Sequence, residues 1–250
     1  MGDAPEKPGR QDSLISATDN RSMFNRIAGY YDGTNRLLSL GFDGYWRRRA
    51  VASLKPDAGG AYLDIGSGTG DIALEILRQS PESVVTGIDP SEAMLELGRG
   101  KVQAAGLAQS ITLLVGDALD LQFRDYSFHG VITAFCIRNV TDRKRAMKEC
   151  YRVLQPGGKF VILELTDPVG PIMKPLFRVY SNAVMPLVTR ILSSAPAYRY
   201  LTDSMADFPR AEQFESLMQE VGFVHTSHVR MTGGITTLFS GTRAADAHGT

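Results

Sequence analysis

From Ala61 onward, short apolar runs rich in β-branched residues alternate with stretches whose apolar positions recur every three or four residues. That is the pattern of strands joined by crossover helices. Strands are expected at Ala61–Ile65, Val84–Ile88, Ile111–Val115, Gly130–Phe135 and Lys159–Leu165. Helices are expected over Asp71–Gln79, over Ser91–Ala105 with Ser91 as N-cap, and over Arg143–Leu154, stopped by Pro156-Gly157-Gly158. From Pro168 to about Phe208 the alternation gives way to an apolar, aromatic insertion punctuated by proline. A last helix, Ala211–Val221, leads into two closing runs, Val224–Met231 and Thr236–Thr242. Five β/α units, a helix and two consecutive strands predict an α/β fold with a seven-stranded, mostly parallel sheet whose last strand is antiparallel.

Composition narrows the function classes. The chain has 250 residues and balances 27 Lys and Arg against 27 Asp and Glu, so no overall field favours nucleic acid. Cys136 and Cys150 are too few for a disulfide framework and are expected to be reduced in a cytoplasmic core. His129, His225, His228 and His248 show no metal-ligand spacing, and no metal site is expected. Residues 1–20 and 244–250 read as disordered tails around a single domain over 21–243, in which 21–58 form a helical cap and 168–208 a substrate-side insertion. No signal peptide or spanning segment is expected.

The candidate chemistry starts where the first strand ends. Gly66, Gly68 and Gly70 form G-x-G-x-G between a strand and a helix, and glycine lets the backbone turn tightly and approach a ligand without a Cβ in the way. A dinucleotide site wants G-x-G-x-x-G, with amides at a helix N-terminus on the pyrophosphate. The spacing here suits S-adenosylmethionine, which has no phosphate. Asp64 supplies a carboxylate near that ligand's ammonium, and Asp89 ends the second strand where a carboxylate can accept both ribose hydroxyls. Asp117 and Ala118 follow the third strand, where such folds meet the adenine. Helix capping by Asp89 and an Asx turn at Asp117 are the competing readings.

Several motifs carry a familial resemblance. They are Met23-Phe24-Asn25-Arg26-Ile27-Ala28, Tyr31-Asp32 with Asn35, Leu38-Ser39-x-Gly41, Trp46-Arg47-Arg48, Arg138-Asn139-Val140-Thr141-Asp142, Tyr200-Leu201 with Ser204, and Phe208-Pro209 with Glu212. On these, from about Met23 to Arg243, the chain resembles the ubiquinone/menaquinone biosynthesis C-methyltransferase family. The resemblance implies a class I methyltransferase Rossmann-like fold and methyl transfer to a ring carbon of a lipid-soluble, prenylated quinol. It implies cofactor contacts at Thr69, Asp89, Asp117 and Ala118, and a homodimer. Departures stand at Ala134, Cys136, Asp43-Gly44, Phe239 and Arg210-Ala211, and these bear on the substrate side.

Carbon methylation needs a phenolate-like nucleophile, hence a group that stabilises the oxyanion. Arg138 is the expected stabiliser and Asn139 the residue that orients water or the second oxygen, with a structural Arg138–Asp142 pair as the competing reading. Tyr31 and Asp32 are expected to close over the cofactor or substrate, with a core tyrosine beside a capping aspartate as the competing reading. Lys174–Leu192 reads as an amphipathic pair of helices broken at Pro186, suited to an isoprenoid tail or to peripheral contact with the inner face of a membrane, with burial against the sheet or a dimer partner as the equal alternative. Two rivals remain open: a phospholipid or small-amine N-methyltransferase on the same scaffold, and a non-enzymatic cofactor-binding module.

Overall fold

A computed structural model describes residues 17–184, 204–205 and 207–245. Helix α1 (Ala17–Leu38) begins inside the expected N-terminal tail and is followed by α2 (Phe42–Leu54). Then come β1 (Ala61–Ile65), α3 (Asp71–Gln79), β2 (Val84–Asp89), α4 (Glu92–Ala104) and β3 (Ile111–Val115). β4 (Phe128–Ala134), a 3-10 turn at Ile137–Asn139, α5 (Arg143–Val153), β5 (Leu154–Leu165) and α6 (Met173–Val179) follow, and a π turn at Tyr180–Val184 continues α6. The chain closes with α7 (Ala211–Val221), β6 (Phe223–Met231) and β7 (Thr236–Arg243). Pro186 and the second half of the expected helical pair lie outside the described residues.

The seven strands are ordered β3-β2-β1-β4-β5-β7-β6, and β7 runs antiparallel to both neighbours. Period-2 alternation divides each central strand between two cores, as a sheet covered on both faces requires. Leu63, Ile65, Val131, Phe160 and Ile162 face α5 and α7, where Met147, Cys150, Phe214 and Met218 pack. Tyr62, Ile132, Val161 and Leu163 face α2, α3 and α4, meeting Trp46, Val51, Ile76 and Leu95.

Local signals explain most of the boundaries. Ser91 Oγ accepts the Met94 N–H at 3.3 Å, capping α4, and Asp142 caps α5 through the Arg145 N–H at 2.9 Å. Proline and glycine at 156–158 do not end α5 as expected. Leu154 is already extended (φ −71°, ψ 141°) and pairs with Phe128, so Pro156-Gly157-Gly158 forms a bulge inside β5 rather than a break before it. A Cβ on Gly158 would meet Gln155 O at 2.8 Å and His129 O at 2.9 Å, which excludes any larger residue from the bulge.

The end of β7 is tied to the end of α5. Arg243 donates from Nη1 to the carbonyls of Tyr151, Arg152 and Leu154 at 2.5–3.0 Å. Its guanidinium lies 4.2 Å from the Tyr126 ring centre and 4.6 Å from that of Tyr151. Charge-assisted bonds to helix-end carbonyls and a cation–π sandwich both favour this arrangement. Arg243→Ala is expected to destabilise the fold by about 2–3 kcal/mol, lowering the midpoint of thermal unfolding by several degrees. An unchanged midpoint in a melting experiment would refute that role.

Candidate active site

The chain reverses direction of strand addition between β1 and β4, and at their C-terminal ends the loops part to leave a cavity of about 490 Å³. The glycine turn forms its floor. Gly66, Gly68 and Gly70 have φ of +69°, +52° and +81°, a region that L side chains rarely enter. The Gly66 and Ser67 N–H groups donate to Ile88 O at 2.8 and 3.0 Å, and the Gly68 N–H donates to Asp89 Oδ2 at 2.9 Å. A Cβ on Gly66 would come within 2.3 Å of Cys136 Sγ, so the turn lies directly against the loop after β4.

Asp89 lines this cavity, with Oδ2 on the Gly68 N–H and Oδ1 on the Ser91 N–H at 2.8 Å. These bonds fix the carboxylate's plane while leaving each oxygen a second lone pair. Burial raises its pKa, and the two backbone donors oppose the rise. Asp117 and Ala118 line the same cavity. Asp117 Oδ1 accepts the Leu119 N–H at 2.9 Å, so the Asx turn is formed at a residue that also faces the cavity.

Asp64 is fully buried beneath the turn, and neither of its carboxylate oxygens has a hydrogen-bond partner of ordinary geometry. Burial, then the Asp89 charge, pushes its pKa up to about 8; Arg47 and the Ala73 N–H pull the other way. Cys136 is held neutral, pushed up to about 12 by burial first and then by Asp89 and Glu164. An orphaned buried carboxylate under a turn with no room for a Cβ at Gly66 is what a small cationic ligand would complete. The donor set therefore fits S-adenosylmethionine: Gly66 and Gly68 for close approach, Asp64 for positive charge, Asp89 for the ribose, Asp117 and Ala118 for the base.

Thr69 is placed differently from these residues. Its hydroxyl donates to Asp32 Oδ1 at 2.7 Å and accepts from Lys101 Nζ at 2.9 Å. Lys101 also pairs with Asp32 at 2.5 Å and Asp71 at 2.7 Å. The glycine turn thereby holds α1 above the cavity, and the Ser91 hydroxyl adds a bond to Asn25 Oδ1 at 2.6 Å. Lys101 was not legible as a partner of Asp32, which is 69 positions away in the chain.

A second, smaller cavity of about 80 Å³ adjoins the first, and Tyr31 and Phe135 line both. Asn139 lines the larger cavity; Arg138 lines the smaller one, beside Asn35, Arg47, Phe177 and Tyr180. Burial raises the Tyr31 pKa, against a side-chain bond with Asn35 and the charges of Arg47 and Arg138, so its hydroxyl keeps its proton. Arg138 is not paired with Asp142, whose side chain caps α5. Its guanidinium, 7% exposed, pairs instead with fully buried Glu164 at 2.5 Å and donates to Phe135 O at 2.8 Å and Ser204 Oγ at 3.3 Å. The one signal for Glu164 in the sequence is a carboxylate inside the apolar run Phe160–Leu165.

Comparison with known proteins agrees with this geometry. The ubiE/COQ5 methyltransferase family model matches residues 14–243. A protein of Geotalea daltonii named ubiquinone/menaquinone biosynthesis C-methyltransferase UbiE is 46% identical over 222 residues, 88% of this chain and 94% of its own. A demethylmenaquinone methyltransferase of Porphyromonas gingivalis is 39% identical over 241 residues, 95% of this chain and 98% of its own. Among solved structures, a SAM-dependent methyltransferase of Thermotoga maritima superposes with a TM-score of 0.63 at 21% identity, covering 89% of this chain and 98% of that one. Phosphoethanolamine N-methyltransferase 2 of Haemonchus contortus, bound to S-adenosyl-L-methionine, gives 0.60 at 20% identity over 79% of this chain and 52% of its own. These structures establish a shared methyltransferase fold.

The raised pKa of Asp64 has a consequence for stability. A carboxyl that titrates near 8 when folded and near 3.8 when unfolded binds its proton more tightly in the native state. Its contribution is full below pH 3.8 and is lost as pH rises towards 8. Cofactor-free Asp64→Asn is therefore expected to be more stable than the parent at pH 8, by on the order of a few kcal/mol, with the gap closing towards pH 4. Thermal unfolding of both proteins across that range checks this; parallel curves would sink it.

Proposed function

The chain belongs to the ubiE/COQ5 methyltransferase family, and from that premise we propose that it transfers the methyl group of S-adenosylmethionine to a ring carbon of a polyprenylated quinol. The acceptor is demethylmenaquinol, giving menaquinol, or the 2-polyprenyl-6-methoxy-1,4-benzoquinol of ubiquinone biosynthesis. The observation that carries the reading is the junction of the two cavities at Tyr31 and Phe135. A cofactor held over the glycine turn would end beside a pocket walled by a guanidinium, a protonated phenol and aromatic rings.

The cofactor, when bound, supplies an electrophilic methyl on a sulfonium. The chain supplies alignment and charge. Asp89 fixes the ribose, Asp117 and Ala118 the adenine, and Asp64 offsets positive charge beneath Gly66. Thr69 contributes by holding Asp32, and with it Tyr31 on the next residue of α1. As the quinol hydroxyl loses its proton to water, negative charge grows on its oxygen and the ring carbon becomes nucleophilic. Once that carbon has taken the methyl, its own hydrogen leaves to water as a proton and the aromatic quinol is restored. Arg138 stabilises that oxygen and Tyr31 donates a hydrogen bond to it. A guanidinium stays protonated, so Arg138 is not itself the base. Asn139, on the cofactor side, orients the water or the second quinol oxygen.

Incubation with labelled S-adenosylmethionine and reduced demethylmenaquinone or the benzoquinol analogue, followed by mass analysis of the lipid, tests the reaction. Asp89→Ala is expected to weaken cofactor binding at least tenfold by calorimetry. Arg138→Ala should cut turnover by about a hundredfold or more while cofactor affinity stays within a few-fold. Loss of cofactor affinity in Arg138→Ala would move that residue out of the chemistry.

We extend the proposal to the lipid side. Among the described residues no helix is long and apolar enough to cross a membrane. Ile172, Leu176 and Val179 on and beside α6 are 78%, 59% and 63% exposed, next to Lys174 and Arg178 and to Phe177 and Tyr180 at the smaller cavity. Apolar side chains flanked by Arg178 and by Lys174, which also pairs with Asp167 at 3.3 Å, suit peripheral contact with an anionic leaflet while the tail enters. The assembly proposed is the homodimer that the familial resemblance implies. Replacing Leu176 and Val179 together by Asp should abolish flotation on anionic phospholipid vesicles and spare methylation of a short-tailed quinol. Flotation equal to the parent's would remove α6 from the contact.

A further inference from the structure

Glu164 belongs to no motif discussed so far, yet it is the residue around which the acceptor side is built. It sits in β5 with no exposed surface, and its two oxygens accept three bonds. Oε1 takes the Arg138 Nη1–H at 2.5 Å and the Leu165 N–H at 2.9 Å; Oε2 takes the backbone N–H of Arg138 at 3.1 Å. One carboxylate thus fixes both the 3-10 turn that carries Arg138-Asn139 and the head of the Arg138 side chain. Arg143 holds the same turn from outside, donating to Arg138 O at 3.0 Å.

We propose that Glu164 is a positioning residue for methyl transfer: it holds the Arg138 guanidinium at the wall of the smaller cavity and offsets its charge there. The inference rests on the reading of Arg138 as the group that stabilises the acceptor oxygen. A lone buried guanidinium would favour the phenolate strongly but hold it as a poor nucleophile. Paired with a carboxylate, it keeps its directed N–H donors while its field is damped. Both charges reach the cavity wall: Cys136 is pushed up by Glu164 and pulled down by Arg138. Among the described residues, the other titratable groups lining the smaller cavity are Tyr31 from α1, Asp43 and Arg47 from α2 and Tyr180 after α6, and the larger cavity adds Arg21, Asp89 and Asp117.

Glu164→Gln keeps the shape and removes the charge, whereas Glu164→Asp keeps the charge and withdraws it by one methylene. Turnover on a reduced demethylmenaquinone analogue is expected to fall at least about tenfold in both, with cofactor affinity by calorimetry within about threefold of the parent. In Glu164→Gln the acid limb of the pH–rate profile should move by about half a unit or more to lower pH, because removing the carboxylate's negative charge favours ionisation of the acceptor hydroxyl. In Glu164→Asp the limb should stay where it is. Should Glu164→Gln not fold by thermal melting, the loss of turnover in folded Glu164→Asp carries the test. Parental turnover in a folded Glu164 variant, or a profile that stays put in Glu164→Gln, overturns the inference. Arg138→Ala is assayed alongside: if it alone loses turnover, only the role of Glu164 fails, and if it keeps turnover, the reading of Arg138 fails with it.

Discussion

Because β1 pairs with β2 on one side and with β4 on the other, the loops leaving β1 and β4 must part over the edge of a sheet whose two faces are already covered. Polar backbone at strand ends is the part of such a sheet that ligands can reach. The glycine turn exploits it by folding back onto Ile88 O with two N–H groups, which fills the β1–β2 side and presses Gly66 against Cys136 on the β4 side. Once the turn occupies that position, strand register places Asp89 and Cys136, and Glu164 on β5 fixes the Arg138-Asn139 turn beyond them. Any side chain at Gly66 would have to displace the β4 loop, so the position of Arg138 depends on an absence of atoms one strand away.

The same turn governs the cover of the site. Thr69 lies between the glycines and bonds Asp32, while Lys101 bridges Asp32 to Asp71 at the start of α3. Two charges on Asp32 and Asp71 gather about one ammonium, partly buried, where ion pairs are less screened than at the surface. Tyr31 and Asp32 are consecutive on a helix, so fixing the carboxylate over Lys101 sets the direction of the phenol next to it. Cofactor loop and acceptor pocket are therefore joined mechanically through one turn of α1.

What could be read from the sequence was whatever depends on near neighbours. The strand pattern, the glycine spacing, the Ser91 cap and the acids at the ends of β2 and β3 are local or follow from periodicity, and in the structure they lie close to where the pattern put them. The break at 156–158 was misplaced because proline and glycine signal a backbone bend without saying whether the bend lies between elements or inside one; pairing of Leu154 with Phe128 decides it. Side-chain partners were the least legible. Arg138 and Asp142 are close in sequence and complementary in charge, yet the cap of α5 claims Asp142, and the buried carboxylate 26 positions away claims Arg138. Glu164 was visible only as an anomaly, one acid in an apolar strand.

The distribution of charge between the two cavities bears on how one site can hold a cation and make an anion. Around the larger cavity stand Asp89 and Asp117, with Arg21 of α1 lining it too and Asp64 beneath the floor, while Cys136 keeps its proton. These acids favour positive charge on a ligand over the turn. Around the smaller cavity stand Arg47 and Arg138, each already facing a carboxylate, with a protonated phenol between them and the acids. On the proposed reading, a negative charge developing on an acceptor oxygen would be favoured beside these guanidiniums more than beside Asp89 and Asp117. Methyl transfer neutralises the sulfonium on one side as the phenolate charge is spent on the other, so the favourable field of each wall acts before the transfer and relaxes after it. Walls that were fully charged on both sides would stabilise the separated charges of the reactants more than the transition state in which they cancel, and pairing the guanidiniums with Asp71 and Glu164 keeps the gradient moderate. Protonation of Asp64 in the ligand-free protein serves the same end from the other side, since the buried charge is needed only when a cation is above it.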